Sequence, residues 1–284
     1  MLICVEYGLI DSRFVCPRFS LSMPNPASDN GDLARQLTGH KVALEDMLRE
    51  TDFNRLIPLP DCTLTSQEHV AAVALYQSHI VPGGSRELIA SYFDRLPVWK
   101  FLEFLVKECP ILLHGTHNGA IRSFEPRASQ DNVIGGEQAR VYASCSGVQA
   151  CFYAVIDRSA LAKIDGSGAI CNSYHRSTGN GALREAFQFA VDHRALGHAI
   201  WRSGYIYVLP RESFSADHGF SQWYSTVSVA PLAIIHVRSS DFVLRDRVRG
   251  VDLLAYVTQF QSSPRNYPWW PDSTIYPLAA TSGH

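Results

Sequence analysis

The chain is poor in the features that mark the most easily read functional classes. No stretch approaches the roughly 18 consecutive apolar residues a membrane-spanning helix needs, so no membrane partner is expected. Net charge is almost absent: 25 lysines and arginines stand against 27 aspartates and glutamates, a balance of −2. That argues against bulk electrostatic attraction to nucleic acid or to an anionic bilayer. There is no Gly-x-Gly-x-x-Gly and no Walker-type loop, which removes two common phosphate-cradling backbones. The seven cysteines are odd in number and none sits at Cys-x-x-Cys spacing. Reduced thiols are expected, with neither a disulfide framework nor a structural metal. The first residues, MLICVEYGLIDSRFVCPRFS, lack a basic start followed by a long apolar run. No secretory leader is therefore expected, and the cytoplasm is the expected location.

What remains is ordinary globular material: 284 residues, 46% hydrophobic and 18% charged, enough to bury a core. The opening stretch to about residue 40 is irregular and turn-rich around Met23-Pro24-Asn25-Pro26. Lys41 to Glu50 has helical spacing. Thr65-Ser66-Gln67-Glu68 starts a helix that runs to Ile80 and stops before Pro82-Gly83-Gly84. Ser85 to Arg95 and Pro97 to Glu108 read as two more helices. After Pro110 the pattern changes. Ile111-Leu112-Leu113 reads as a strand ending at His114-Gly115, Ala139 to Ala143 as another, and Gly147 to Ile156 as a helix. Leu183 to His193 has helical periodicity, with Ala186, Phe187 and Ala190 on one face. Gly204 to Pro210 is a strong strand signal, Val227 to Val237 holds one or two more, and the proline- and tryptophan-containing tail reads as extended. Helices first and then mixed strands and helices predict an α+β fold. The expected division is a mostly helical region at 1–108 and a second domain at 109–284.

Three pieces of the second half suit one chemical task, holding NAD⁺ and breaking its nicotinamide–ribose bond. A His at the end of a strand, as in His114-Gly115-Thr116, can bond a ribose hydroxyl. The Gly beside it lets the backbone approach a nicotinamide amide, because no Cβ intervenes. Tyr142 and Tyr153 can sandwich a flat ring and favour it while it is cationic. Gln222 is a late polar side chain able to fix the ribose. Arg122, Arg127 and Arg140 offer guanidinium groups suited to a diphosphate.

These residues resemble the ADP-ribosyltransferases of the His–Tyr–Glu class, the superfamily of diphtheria toxin and the poly(ADP-ribose) polymerases. That pattern has a His-Gly at the end of the first strand, often followed by Ser or Thr. A Tyr ends a later strand and a second Tyr follows eleven positions on. His114-Gly115-Thr116 is similar to the first part, and Tyr142 and Tyr153 are eleven apart. The likeness covers roughly residues 111–240. It implies a split, strongly curved β-sheet core with a helical N-terminal region, and transfer of ADP-ribose from NAD⁺ with loss of nicotinamide and no metal. His114, Tyr142 and Gln222 would be catalytic. His114, Gly115, Thr116, Arg122, Tyr142, Ala143 and Tyr153 would contact NAD⁺.

One departure bears on turnover. The class carries a Glu on a late strand, and alignment of Ser221-Gln222-Trp223-Tyr224 with that strand places Gln222 there. Glu212 and Glu185 are the other acidic candidates. Gln keeps hydrogen bonds but loses the charge that stabilises an ion-like transition state. The resemblance therefore implies a mono-ADP-ribosyltransferase or NAD⁺ glycohydrolase, or a catalytically silent module that binds NAD⁺, ADP-ribose or a protein partner. A third possibility is another chemistry on the same fold, such as removal of an RNA 2′-phosphate. The acceptor stays open between protein, nucleic acid and small molecule.

Overall fold

A computed structural model describes residues 2–3, 56–83, 86–127, 139–164, 167–177, 183–216 and 222–262. The expected helix at 41–50 and the extended tail after 262 lie outside the described residues. Within them the chain is mixed α+β, with two sheets and helices packed between. No described helix is long and apolar enough to cross a membrane. The described cysteines, Cys62, Cys109, Cys145, Cys151 and Cys171, are free thiols.

The first helix, α1 (Ser66–Leu75), starts where its cap is written. Thr65 Oγ1 accepts from Glu68 N at 3.2 Å, and the Glu68 carboxylate accepts from Thr65 N at 2.8 Å. It continues through a π turn to Ile80. Helix α2 (Val98–Glu108) buries Phe101, Leu102 and Leu105. Helix α3 (Gly147–Val155) is capped by Ser146 and crosses α2 closely; a Cβ on Gly147 would lie 2.7 Å from Leu102 Cβ. The buried Glu103 secures that crossing. Its Oε1 accepts Val148 N–H at 3.1 Å at the start of α3, and its Oε2 lies 3.0 Å from Lys107 Nζ.

One expected helix is a strand, and another is a short strand followed by a 3₁₀ turn. Leu183–Asp192 is β7 in a five-stranded sheet, where it pairs antiparallel with β6 (Ala169–Ser177) and with β2 (Ile57–Pro58), and parallel with β12 (Arg249–Val251). The reason is burial on both faces. Ala186, Gln188 and Ala190 on one side and Phe187, Phe189 and Val191 on the other are all buried. A strand covered on both sides loses its alternation, and the aromatic and β-branched residues then decide for strand. Ser85–Arg95 was expected as helix, but Arg86–Leu88 is β3 and Ala90–Phe93 a 3₁₀ turn. Parallel pairing of β3 with β11 (Ala233–Val237) overrides the local pattern. At the chain start, Leu2–Ile3 forms β1 beside β6.

The second sheet has the order β3-β11-β8-β4-β5-β10-β9, with β4 Ile111–Thr116, β5 Val141–Ser144, β8 Gly204–Pro210, β9 Ser215–Ala216 and β10 Gln222–Ser225. Strands from both sides of residue 108 pair in each sheet, so the helical first part and the later strands share one core. Helix α3 lies between the sheets. Phe152 stacks on Phe189 of β7 at 4.9 Å. On the other side α3 rests backbone to backbone on the β4–β8 pair. A Cβ on Gly204 would lie 1.8 Å from Ala154 O, and one on Gly115 2.0 Å from Ala150 O. A short helix α4 (Arg158–Ala162), capped by Asp157, follows α3, and α5 (Leu253–Ser262) ends the described chain.

Gly204→Ala should lower stability by about 3 kcal/mol or more, because two backbones must separate. Gly197 has φ 82° with nothing within 4 Å of a built Cβ. Gly197→Ala should cost only about 1 kcal/mol of backbone strain. Urea unfolding of both variants measures the contrast, and equal losses would refute the close packing of α3 on the sheet.

Candidate functional site

The sheet opens between β4 and β5. On its other side β4 pairs with β8 without interruption, from Ile111↔Pro210 to Thr116↔Tyr205. With β5 it shares one pair, Leu113↔Ser144. The alternation of antiparallel pairing tells which backbone groups face the opening. Val208 O accepts from Leu232 N at 2.8 Å, so Val208 directs its amide groups away from β4. Arg211 N donates to Pro110 O at 3.1 Å, so Pro110 directs its own toward β8. Counting by twos, Leu112, His114 and Thr116 turn their backbone groups to β8. Leu113 and Gly115 turn theirs to β5.

A continued ladder would bring Gly115 to Tyr142. Instead the Tyr142 carbonyl accepts from His114 Nδ1 at 2.8 Å. The imidazole thus bridges the strands where the ladder ends, and Gly115 N–H and C=O lie on the lip of the opening. A ring nitrogen facing a carbonyl carries the proton, so this contact assigns the tautomer and leaves a lone pair on Nε2. Burial pushes the His114 pKa below its ordinary value. The Tyr142 carbonyl opposes that shift, and the positive charge of Arg158 adds to it. The ring packs on Phe124 at 4.8 Å, and Phe124 meets Tyr207 edge-on at 5.1 Å.

Both tyrosines lie on the α3 side of the sheet. Val141 and Ala143 point into the outer-face cluster with Leu112 and Tyr207, so Tyr142 and Ser144 face α3. Ser144 Oγ donates to Gln149 Oε1 on α3. Tyr153 is half-buried on α3 beside Gly115, its Cβ 3.0 Å from where a Gly115 Cβ would be. The His114 ring packs on Phe124 on the outer face, whereas Tyr142 and Tyr153 lie on the α3 side beside Gly115, so these residues approach the end of the β4–β5 ladder from the two faces of the sheet. The other expected contacts are elsewhere. Ala143 is buried in the outer cluster. Thr116 Oγ1 accepts Asn118 N–H at 3.3 Å, closing the turn after β4. Arg122 is exposed, and its charge acts on Tyr207. Arg127 and Arg140 form a bridge, and Arg140 lies 4.0 Å over the Tyr224 ring.

Backbone register separates the three candidates for the late polar residue. Gln222 pairs with Ser144, and Ser144 pairs with Leu113, so position 222 is level with the closed pair next to the opening, while Tyr224 is level with Tyr142. Glu212 follows β8 at the Pro110 end of β4 and is exposed. Glu185 is on β7 in the other sheet, opposite His175. Cys151 on α3 is a core thiol whose pKa burial drives up.

Three residues that sequence reasoning passed over also reach this end of β4. They are His117, Arg158 and Arg202, linked through Asp157 and Ala154. No spacing announced them, because they come from three separate segments. Among the described residues no group of His, Cys, Asp and Glu is arranged to hold a metal. No protein-family model, no curated protein and no solved structure matches the chain.

The depressed histidines make stability acid-sensitive. His114 and His117 both have folded pKa values below 6.5, each chiefly through burial. Between the folded and unfolded values the unfolded chain binds more protons, so stability falls as pH drops below about 6.5. The depressed carboxyls, such as Asp157, give the same sign but at lower pH. Urea midpoints should fall between about pH 7 and about pH 5, and His114→Gln should flatten the slope. An unchanged slope in that variant would rule out a depressed His114.

Proposed function

We propose that the chain binds NAD⁺ in the opening between β4 and β5 and acts as a mono-ADP-ribosyltransferase or NAD⁺ glycohydrolase, on an ADP-ribosyltransferase-like core. The observation that carries this reading is the His114–Tyr142 bridge, which stands where a continued ladder would pair Gly115 with Tyr142.

Each residue has a definite task in this reading. Gly115 N–H donates to the nicotinamide carboxamide oxygen, and its C=O accepts from the carboxamide NH₂. Tyr142 and Tyr153 stack on the pyridinium ring, an interaction that favours the cation. The neutral His114 accepts a ribose hydroxyl at Nε2, with its ring held by the Tyr142 carbonyl. As the bond to nicotinamide breaks, the ribose gains positive character and the electron pair leaves with nicotinamide. Gln222 holds a ribose hydroxyl there without supplying a negative charge.

The amide at 222 favours a second reading, a module that binds NAD⁺ or ADP-ribose and turns over little or none. Neither Glu212 nor Glu185 is level with the opening, so neither supplies the missing carboxylate. The two readings part on one assay. Purified protein is incubated with NAD⁺, free nicotinamide is followed by chromatography, and NAD⁺ binding is measured by calorimetry. For the enzyme, His114→Ala and Tyr142→Ala lower nicotinamide release by on the order of 10²-fold, and Gln222→Glu raises it by on the order of 10²-fold. For the silent module, wild type binds NAD⁺ without release. Absence of both binding and release overturns both readings.

A further inference from the structure

The C-terminal end of α3 is tied to a separate stretch of chain. Asp157 N donates to Ile200 O at 2.8 Å, Arg202 N donates to Val155 O at 3.0 Å, and Ile156 and Trp201 form a bridge between them. This short zip sets Arg202 opposite Val155 and brings it to Asp157, the residue before the exposed Arg158. Arg202 Nη1 lies 3.6 Å from Asp157 Oδ2, whose Oδ1 caps α4. Arg158 is exposed and has no ion-pair partner among the described residues. The same end of α3 is pressed onto the end of β4, since a Cβ on Gly204 would lie 1.8 Å from Ala154 O and 3.0 Å from Thr116 O. His117, the next residue, bonds the Ala154 backbone through its ring, while its Nε2 is buried with no partner among the described residues. The Arg158 charge is also felt at His114. Arg158, Arg202 and the unsatisfied imidazole nitrogen of His117 therefore gather where the C-terminal ends of α3 and β4 meet.

We propose that Arg158 and Arg202, backed by His117, form a subsite for the diphosphate of the ligand, so that its phosphorylated arm leaves the opening past the C-terminal end of β4. This inference rests on the NAD⁺ reading for the identity of the ligand, and on the residues just named for the place of its phosphates. Guanidinium forks match phosphate oxygens and bind them in pairs. A buried polar nitrogen without a partner calls for one. Burial first, and then the charges of Arg202 and Arg158, lower the His117 pKa, and a bound dianion opposes the contribution of those charges. The subsite selects for a class of ligand: dinucleotides and ADP-ribose, in preference to unphosphorylated nicotinamide nucleosides.

The test uses the full chain, wild type and Arg158→Gln/Arg202→Gln, with NAD⁺, ADP-ribose, nicotinamide riboside and inorganic pyrophosphate as separate probes in calorimetry at low salt. Arg158→Glu serves as a second variant, and the melting temperature without ligand checks that each folds. The expected result is at least a tenfold loss of affinity for NAD⁺, ADP-ribose and pyrophosphate, with nicotinamide riboside unchanged. Equal affinity of the double variant and wild type for NAD⁺ overturns the subsite and leaves the NAD⁺ reading standing. Pyrophosphate binding that the variants abolish, with no NAD⁺ binding to wild type, supports an anion site here and overturns the NAD⁺ reading. If neither pyrophosphate nor NAD⁺ binds wild type, both fall.

Discussion

Helix α3 lies with its backbone directly on two glycines, Gly115 of β4 and Gly204 of β8. No side chain larger than hydrogen fits at either point, since a Cβ would fall within 2.0 Å of a helix carbonyl. That contact fixes the distance between helix and sheet. It brings Tyr153 beside Gly115 and seats the end of α3 against Thr116. The other side of the helix carries Phe152 into an aromatic group with Phe189 and Phe242, and so into the five-stranded sheet. One helix thus sets the position of both sheets and of the candidate site between β4 and β5.

The opening in the sheet has a local cause and a local cost. Ending a ladder exposes backbone groups that need partners. Here one of them, the Tyr142 carbonyl, takes a side-chain donor, His114 Nδ1. The imidazole is in turn wedged against Phe124, which the loop after β4 brings over the outer face. That loop is held by the buried Tyr207, whose hydroxyl donates to Asn118 O at 2.8 Å and accepts from Ile121 N at 2.9 Å. The His114 ring is held by the Tyr142 carbonyl and by its packing on Phe124. The same burial that holds it keeps it neutral, which is the form able to accept a hydroxyl.

Much of the sheet that carries the site was legible in the sequence. The strand at 111–116, the strand at 141–144, the helix at 147–155 and the strand at 204–210 follow from apolar runs and turn residues. Tyr142 and Tyr153, eleven positions apart, stand on β5 and on α3. The failures have physical reasons. Leu183–Asp192 is buried on both faces, so its periodicity carried no information about strand or helix. Arg86–Leu88 is a strand because β11 offers it an edge. Ala143 alternates to the face opposite its neighbour Tyr142. Arg158, Arg202 and His117 come from three segments, and only the pairing of 155–157 with 200–202 brings them together. No single stretch of sequence carries that pairing.

The central claim is that the Gly115 amide, released from the ladder by the His114–Tyr142 bridge, holds the nicotinamide carboxamide. The most direct measurement is the amide resonance of Gly115 in a ¹⁵N-labelled chain, followed as NAD⁺ and then nicotinamide alone are added. The account predicts that both ligands shift Gly115 downfield, as a donated hydrogen bond does, and that Tyr142 and Tyr153 move with it. Binding of NAD⁺ that leaves Gly115 unmoved while perturbing residues elsewhere would contradict it.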